Sequence, residues 1–452
     1  MRALIARLRA RLGDFWYHTL MLFVACRVAD ALNFFVGAWL VPKYVDPTEL
    51  GAVLPLTSFA TLLVLPAFAF AMTFMKEVSR LAVRGAYGQL KSLMRGVFVA
   101  AGLFLVLGVA VSRMAMPYFL ERIRVAEGSL GVLIMVSAFI GCVAPVYSNA
   151  LQALKKFKTL SLLSVVGAPF RLLTMLVTMP FRPLSGYFVG QTATPGFAIV
   201  ASVVSLRREL AVPAERYWTR EVVRRFSWLF GGVMAYQMTS MLLGFVQQTV
   251  LRQRLPELDS AAYYLVSRFA DVANFLSSAL FVTLFPYTSE LAENGCSTRP
   301  LVLKSSAAMI LFSSVLALIF GLFGRSLLAV VPHGADYVGF AWAIPWLVGI
   351  MALYSVSTFH ANTEVSAGRF GFLKWWIPYH LLAVASLLFV TGYGYFVDWL
   401  PSSFSAFLGE HNVRGLDTML WWFTADAVLK SAFSLIELWR QKFDIISKRK
   451  EG

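Results

Sequence analysis

The sequence is short of charged residues. Only 14% of its 452 residues are Asp, Glu, Lys or Arg, whereas 58% are apolar. Soluble domains carry about 25% charged residues, which cover the surface that faces water. A chain of this length would form two or three such domains, and it has too few charges to solvate them. The composition excludes a string of soluble domains and indicates a polytopic membrane protein.

Cysteine and catalytic motifs are scarce as well. Cys26, Cys142 and Cys296 are far apart and odd in number, so they imply neither a disulfide framework nor a metal cluster. The sequence has no P-loop, no HExxH motif and no GxSxG motif. We therefore expect no enzyme and no bound cofactor. A coupling ion, H⁺ or Na⁺, is the one exception that we expect.

Long apolar segments, in contrast, are abundant. A bilayer core needs roughly 20 apolar helical residues, and twelve such segments follow one another, from Thr19–Leu40 to Thr418–Leu438. The predicted fold is all-α, a polytopic membrane protein with about 12 transmembrane helices in two six-helix lobes. The predicted parts are an N-terminal lobe (1–206) that begins with a short amphipathic segment, a cytoplasmic linker (207–226), a C-terminal lobe (227–440) and a basic cytoplasmic tail (441–452).

The linker has an amphipathic second half. Between Pro213 and Arg225 the apolar residues Trp218 and Val222 are interspersed with charged residues, among them Glu215, Arg216 and Glu221. This pattern is typical of a short helix that lies in the membrane interface. We therefore predict such a helix there.

Basic residues are distributed unevenly between the two sides of the predicted membrane. With a cytoplasmic N-terminus, 27 of the 40 Lys and Arg residues lie in cytoplasmic segments and four lie within spans. The nine in outside loops are Lys43, Arg113, Arg122, Arg124, Arg182, Arg252, Arg254, Arg325 and Arg414. This bias follows the positive-inside rule and places both termini in the cytoplasm. Short basic loops beside a membrane suit anionic lipids and exclude nucleic acid as a partner.

Four stretches resemble one known family. Residues 41–51, VPKYVDPTELG, resemble the loop after the first helix of Wzx-type polysaccharide lipid flippases, although Asp46 and Leu50 depart from the family pattern. Residues 149–158 resemble the family's turn between helices four and five, and residues 263–268 and 284–291 resemble its eighth helix and the exit from it.

The family belongs to the multidrug/oligosaccharidyl-lipid/polysaccharide (MOP) exporter superfamily. The resemblance implies two lobes that alternate access around a central cavity in the cytoplasmic (inner) membrane. It implies lipid-linked oligosaccharide, carried on a polyprenyl diphosphate, as the substrate for surface polysaccharide assembly. Other membrane proteins of polysaccharide assembly are the candidate protein partners.

Ionisable residues inside the spans are candidate functional groups. Each costs about 2.5–3.5 kcal/mol on insertion scales, so such residues usually face a protein interior or a cavity. Three pairs are spaced to share a helix face: Arg27 with Asp30, Arg268 with Asp271, and Asp426 with Lys430. The alternative for each pair is a purely structural role, because two charges that neutralise each other make their own helix easier to insert into the membrane.

Arg171 differs from these pairs because no acid is near it in sequence. Pro169 precedes it and is expected to kink the helix and free a backbone carbonyl. A planar guanidinium that faces a cavity suits a diphosphate, since it can hold two phosphate oxygens. The alternative is neutralisation by Asp30 or Asp271 from another helix.

These residues define the predicted site. The predicted substrate-binding cations of the cavity are Arg27, Arg171, Arg268 and Lys430. The candidates for ion coupling or charge pairing are Asp30, Asp271, Asp426 and Glu364.

Two other functions remain open. A cation-coupled drug exporter of the same superfamily would favour an acidic cavity, and here the basic residues in the spans outnumber the acids by four to three. A membrane polymerase or ligase for the same lipid carrier would need a catalytic outside loop. The largest candidate loop, 398–417, contains few titratable groups: Asp398, Glu410, His411, Arg414 and Asp417.

Overall fold

The computed structural model describes residues 27–125, 127–154, 156–275, 288, 291, 297–391 and 416–451. These residues are helical or form short connections, and no strand occurs among them. The predicted all-α fold is therefore confirmed. The N-terminal amphipathic segment, most of the stretch 284–291 and most of the loop 398–417 lie outside the described residues.

The principal helices follow one another with short connections. In chain order they are α1 (27–44, with a π-helical turn at Val36–Leu40), α2 (Pro47–Leu50), α3 (Val53–Val83), α4 (Tyr87–Arg122), α5 (Leu130–Ala153), α6 (Phe157–Thr178), α7 (Pro183–Leu206), α8 (Arg220–Arg254), α9 (Glu257–Ala270), α10 (Arg299–Val330), α11 (Ala343–Ser366), α12 (Leu373–Val390) and α13 (Leu416–Glu451). A 3₁₀ turn at Gly334–Phe340 connects α10 to α11.

Eight segments of the described chain are long and apolar enough to cross a bilayer. They coincide with the second to sixth and the ninth to eleventh predicted spans. The first and eighth predicted spans lie partly outside the described residues, and the seventh and twelfth fall within α8 and α13. The chain is thus a multi-pass membrane protein.

The helices divide into two compact units. The described part of the first unit comprises residues 27–36 and Leu56–Gln237, and the second comprises Gly37–Pro55 and the described chain from Met238 onward.

In the first unit, α6 and α7 approach each other closely. A Cβ atom added to Gly167 would lie 2.9 Å from Cγ2 of Thr194, so glycine permits the contact. The Thr194 hydroxyl donates a hydrogen bond of 2.9 Å to the Gly167 carbonyl. Pro169 and Pro195 lie inside these two helices, and each removes one backbone donor. Helices α6 and α7 are therefore in contact beside two prolines, where a polar side chain can hydrogen-bond to a backbone carbonyl.

The prediction of an interfacial helix in the second half of the linker is wrong. Residues 213–219 are not helical, and the helix begins only at Arg220 and continues into α8. The Glu215 amide donates to the Gly88 carbonyl at 3.1 Å, and Tyr217 is buried against the first unit's core. The apolar residues of the linker thus anchor it to α4, and this packing overrides the amphipathic pattern.

In the second unit, residues 37–55 pack against α8 and α9. The Arg252 guanidinium is buried and donates to the Thr48 carbonyl at 2.7 Å. The Tyr264 hydroxyl donates to the Gly37 carbonyl at 3.0 Å. The sequence assigns residues 37–55 to the N-terminal lobe, whereas these contacts lie within the second unit.

Asp46 stabilises the start of the short helix α2. Its carboxylate accepts hydrogen bonds from the Thr48 hydroxyl at 2.7 Å and from the Thr48 amide at 2.9 Å. These hydrogen bonds lower the pKa of the Asp46 carboxyl below its ordinary value.

Gly51 tests how tightly residues 37–55 pack. A Cβ atom at this position would lie 2.8 Å from Cβ of Ser260 and 3.0 Å from its backbone carbon. We expect Gly51→Ala to lower the stability of the protein by about 1–3 kcal/mol through overpacking. Thermal unfolding in detergent measures this change. Gly102→Ala is the matched control, because nothing lies within 4 Å of a Cβ there; equal midpoints for the two variants would contradict the packing.

Candidate functional site

A polar cavity of about 360 Å³ lies within the first unit. Three elements line it: α1 through Ala29, Asp30 and Asn33, α6 through Ala168 and Arg171, and α7 through Gln191, Thr194 and Pro195. Asp30 and Asn33 are three residues apart, so one face of α1 presents both side chains. The close contact of α6 with α7 brings Arg171 and Thr194 to the same space. The site is therefore built on packed helices within one unit.

Arg171 is fixed at this cavity by α1. Its Nη1 atom donates a hydrogen bond of 2.8 Å to Oδ1 of Asn33. Asn33 is a neutral amide, so this contact orients the guanidinium without cancelling its charge. The structure thus places Arg171 at a cavity that Asp30 also lines.

Arg27 forms an ion pair with Asp30, which lines the cavity. Nη2 of Arg27 lies 3.0 Å from Oδ2 of Asp30, and each side chain is 29% exposed. This ion pair follows the three-residue spacing that predicts a shared helix face. Arg27 is not among the residues that line the cavity, and the two charged residues that do line it are Asp30 and Arg171.

Sequence reasoning misses the contribution of α7. The Gln191 side-chain amide donates to the Tyr187 hydroxyl at 2.6 Å, and the hydroxyls of Tyr187 and Thr57 lie 3.4 Å apart. Polar groups therefore extend from the cavity toward α3. The sequence pattern that could have identified them is the three-residue spacing of Gln191 and Thr194 within an apolar helix, which puts both on one face.

The pair Arg268 and Asp271 belongs to the second unit. Nη2 of Arg268 lies 3.1 Å from Oδ2 of Asp271, so the predicted local pairing is present. The Arg268 guanidinium lies 5.4 Å from the centre of the Tyr264 ring, and the Asn274 amide donates to Asp271 at 3.2 Å. Neighbouring side chains thus surround this ion pair.

Asp426 and Lys430 are also in the second unit, and both are buried. They do not pair as their four-residue spacing predicts: in the described part of the chain, Lys430 is not within ion-pair distance of any carboxylate. Asp426 accepts hydrogen bonds from Tyr354 and Tyr379 instead.

Glu364 lies near the end of α11 and is buried. Its Oε1 atom accepts from Nη2 of Arg369 at 2.8 Å. The residue therefore forms a charge pair at a helix end. Among the described residues, no group of three His, Cys, Asp or Glu side chains could hold a metal ion.

No family model and no curated protein matches this sequence, but solved structures resemble it. The lipid II flippase MurJ, in an inward closed conformation, gives a TM-score of 0.66 at 13% identity, over 93% of this chain and 87% of that one. The MATE transporter VcmN of Vibrio cholerae gives a TM-score of 0.65 at 14% identity, over 97% of both chains.

An inward-facing multidrug resistance MATE family transporter of the MOP superfamily is a third similar structure. Its TM-score is 0.60 at 12% identity, over 93% of this chain and 95% of that chain. At this level of identity the likeness shows the fold. The chain is a polytopic helical membrane protein with the fold of these transporters.

The pair Arg27 and Asp30 generates a prediction about stability. Asp30→Asn leaves the Arg27 guanidinium without its carboxylate, and we expect it to destabilise the protein by about 1–3 kcal/mol, between the values for exposed and buried pairs. Thermal unfolding in detergent measures the loss.

The double variant Arg27→Gln/Asp30→Asn removes both charges and should recover a large part of that loss. A double variant whose loss equals the sum of the two single losses would show that the two charges do not stabilise each other.

Proposed function

We propose that this protein is a flippase that moves polyprenyl-diphosphate-linked oligosaccharide across the cytoplasmic membrane by alternating access, for surface polysaccharide assembly. The observation that carries the proposal is the guanidinium of Arg171, held by a neutral amide at a polar cavity inside an apolar helical unit. The likeness of the fold to a lipid II flippase supports the proposal.

The chemistry of the cavity suits a diphosphate. A guanidinium binds phosphate oxygens through two parallel N–H groups, and such charge-assisted bonds are about twice as strong as neutral ones. A phosphate oxygen can replace the Asn33 oxygen as the acceptor for Nη1 of Arg171. Gln191 and Thr194 add uncharged polar groups that suit sugar hydroxyls. The positive charge of the Arg171 guanidinium favours an anionic headgroup.

The same pair of helices also offers an apolar surface. A second cavity, of about 480 Å³, is lined by residues of α5, α6 and α7: Leu133, Phe170, Thr174, Val189, Thr192, Ala193, Gly196, Phe197 and Val200. Phe170 of this cavity is adjacent in sequence to Arg171 of the polar one. A lipid diphosphate presents one charged and one apolar part, and α6 and α7 carry a surface for each.

Asp30 is the acid that we propose for coupling to H⁺ or Na⁺. Of the four candidate acids, Asp30 is the one that lines the polar cavity. Asp30 also forms the ion pair with Arg27. Binding of H⁺ or Na⁺ at Asp30 would therefore change the electrostatic potential at Arg171, which links ion binding to substrate binding.

A cation-coupled drug exporter is the second candidate function. The likeness to MATE transporters and the position of Asp30 in the cavity favour it. The guanidinium of Arg171, which lines the same cavity, opposes it, since a positive group repels an organic cation.

Arg171→Ala tests the flippase. We expect translocation of a polyprenyl-diphosphate-linked oligosaccharide in proteoliposomes to fall by about 10–100-fold, the loss expected for a hydrogen bond to a charged group. Arg171→Lys keeps the charge without the bidentate geometry and should fall in between.

Arg182→Ala is the matched control, because Arg182 is exposed in the connection before α7. Unchanged flipping by a folded Arg171→Ala variant would refute the proposed role. Export of a cationic dye by the wild-type protein, without flipping of the lipid, would favour the drug exporter.

A further inference from the structure

The ammonium group of Lys430 lies in an aromatic environment inside the second unit. Its Nζ atom is 4.6 Å from the centre of the Trp376 ring and 5.5 Å from the centre of the Tyr354 ring. Only 8% of the lysine and 1% of the tryptophan are exposed. Ring faces attract a cation through their quadrupole, and the attraction increases when water is removed. The two rings therefore stabilise the buried positive charge of Lys430.

A carboxylate completes this environment without an ion pair to the lysine. Oδ2 of Asp426 accepts from the Tyr354 hydroxyl at 2.5 Å, and Oδ1 accepts from the Tyr379 hydroxyl at 2.6 Å. Two tyrosines on two other helices thus hold the acid in place. Its negative charge still acts on the ammonium one helical turn away through the low-dielectric interior.

The walls of this environment are fixed by further contacts. The Trp376 indole N–H donates to the Ser240 hydroxyl at 3.3 Å, and Nδ1 of His380 lies 2.7 Å from the Trp376 carbonyl oxygen. The His380 ring packs on Trp376 with ring centres 4.6 Å apart. Helices α8, α11, α12 and α13 all contribute, so the arrangement is a rigid feature of the packed unit.

The geometry points to an ammonium-binding cage, formed by the rings of Trp376 and Tyr354 with the carboxylate of Asp426 nearby, that Lys430 fills from within its own chain. Two aromatic faces and a fixed acid are the groups that recognise alkylammonium ions. We infer that the cage binds primary alkylammonium ions when Lys430 does not occupy it. Lys430 is then a specificity-determining residue, because its tethered ammonium excludes organic cations from the second unit.

This inference goes beyond the proposed flippase activity and does not depend on it. Its test is ligand binding, so a failed flippase assay leaves the test intact. The Lys430→Ala variant removes three methylene groups and the ammonium, and n-propylammonium replaces those atoms. 1-Propanol has the same carbon chain without the charge.

We expect n-propylammonium to raise the unfolding midpoint of Lys430→Ala saturably, by about 1–2 °C at ten times its Kd. The wild-type protein and Lys430→Met should show no such shift, since a side chain already fills the cage in both. Equal stabilisation of Lys430→Ala by 1-propanol would overturn the inference, because it would show simple cavity filling. An equal response of the wild-type protein would overturn it too.

A double-mutant cycle keeps the inference testable if Lys430→Ala does not fold. Lys430→Met preserves the size of the side chain and removes its charge. Asp426→Asn should lower the unfolding midpoint of the wild-type protein by several degrees more than that of Lys430→Met, because the ammonium then loses its acid. Additive effects of the two substitutions would contradict an electrostatic cage.

Discussion

The structure depends on how charged side chains are accommodated where there is little water. A span tolerates a charge only when neighbouring groups replace its hydration. This chain does so in three ways. Arg27 and Arg268 form ion pairs within their own helices, Arg171 hydrogen-bonds to an amide of another helix, and Lys430 lies against two aromatic rings. The three arrangements place different kinds of partner beside the charged group.

The charged residues of the two units therefore have different surroundings. Within the first unit, an amide orients the guanidinium of Arg171 at a cavity that Asp30 also lines. Within the second unit, the ammonium of Lys430 is surrounded by aromatic side chains and a fixed acid. The first arrangement is suited to an anionic headgroup, and the second fills a site for cations. Both features favour an anionic lipid as cargo over a cationic drug.

The sequence predicts those features that depend on spacing within one helix. The all-α fold follows from the composition, and the pairs of Arg27 with Asp30 and Arg268 with Asp271 follow from a three-residue spacing. Features that depend on other helices are not predictable in this way. The tyrosines that take Asp426 away from Lys430 lie on α11 and α12, and the packing of Tyr217 that replaces the linker helix depends on α4. Gln191 and Thr194 become cavity residues only when α7 packs on α6.

The proposed function depends on recognition of a lipid diphosphate by Arg171. Binding of farnesyl diphosphate to the purified protein tests this most directly, with farnesol as the ligand that lacks the diphosphate and Arg171→Gln as the variant. We expect the wild-type protein to bind the diphosphate at least about tenfold more tightly than farnesol, and Arg171→Gln to lose most of this preference. Equal preference for the diphosphate in the two proteins would contradict the proposed recognition.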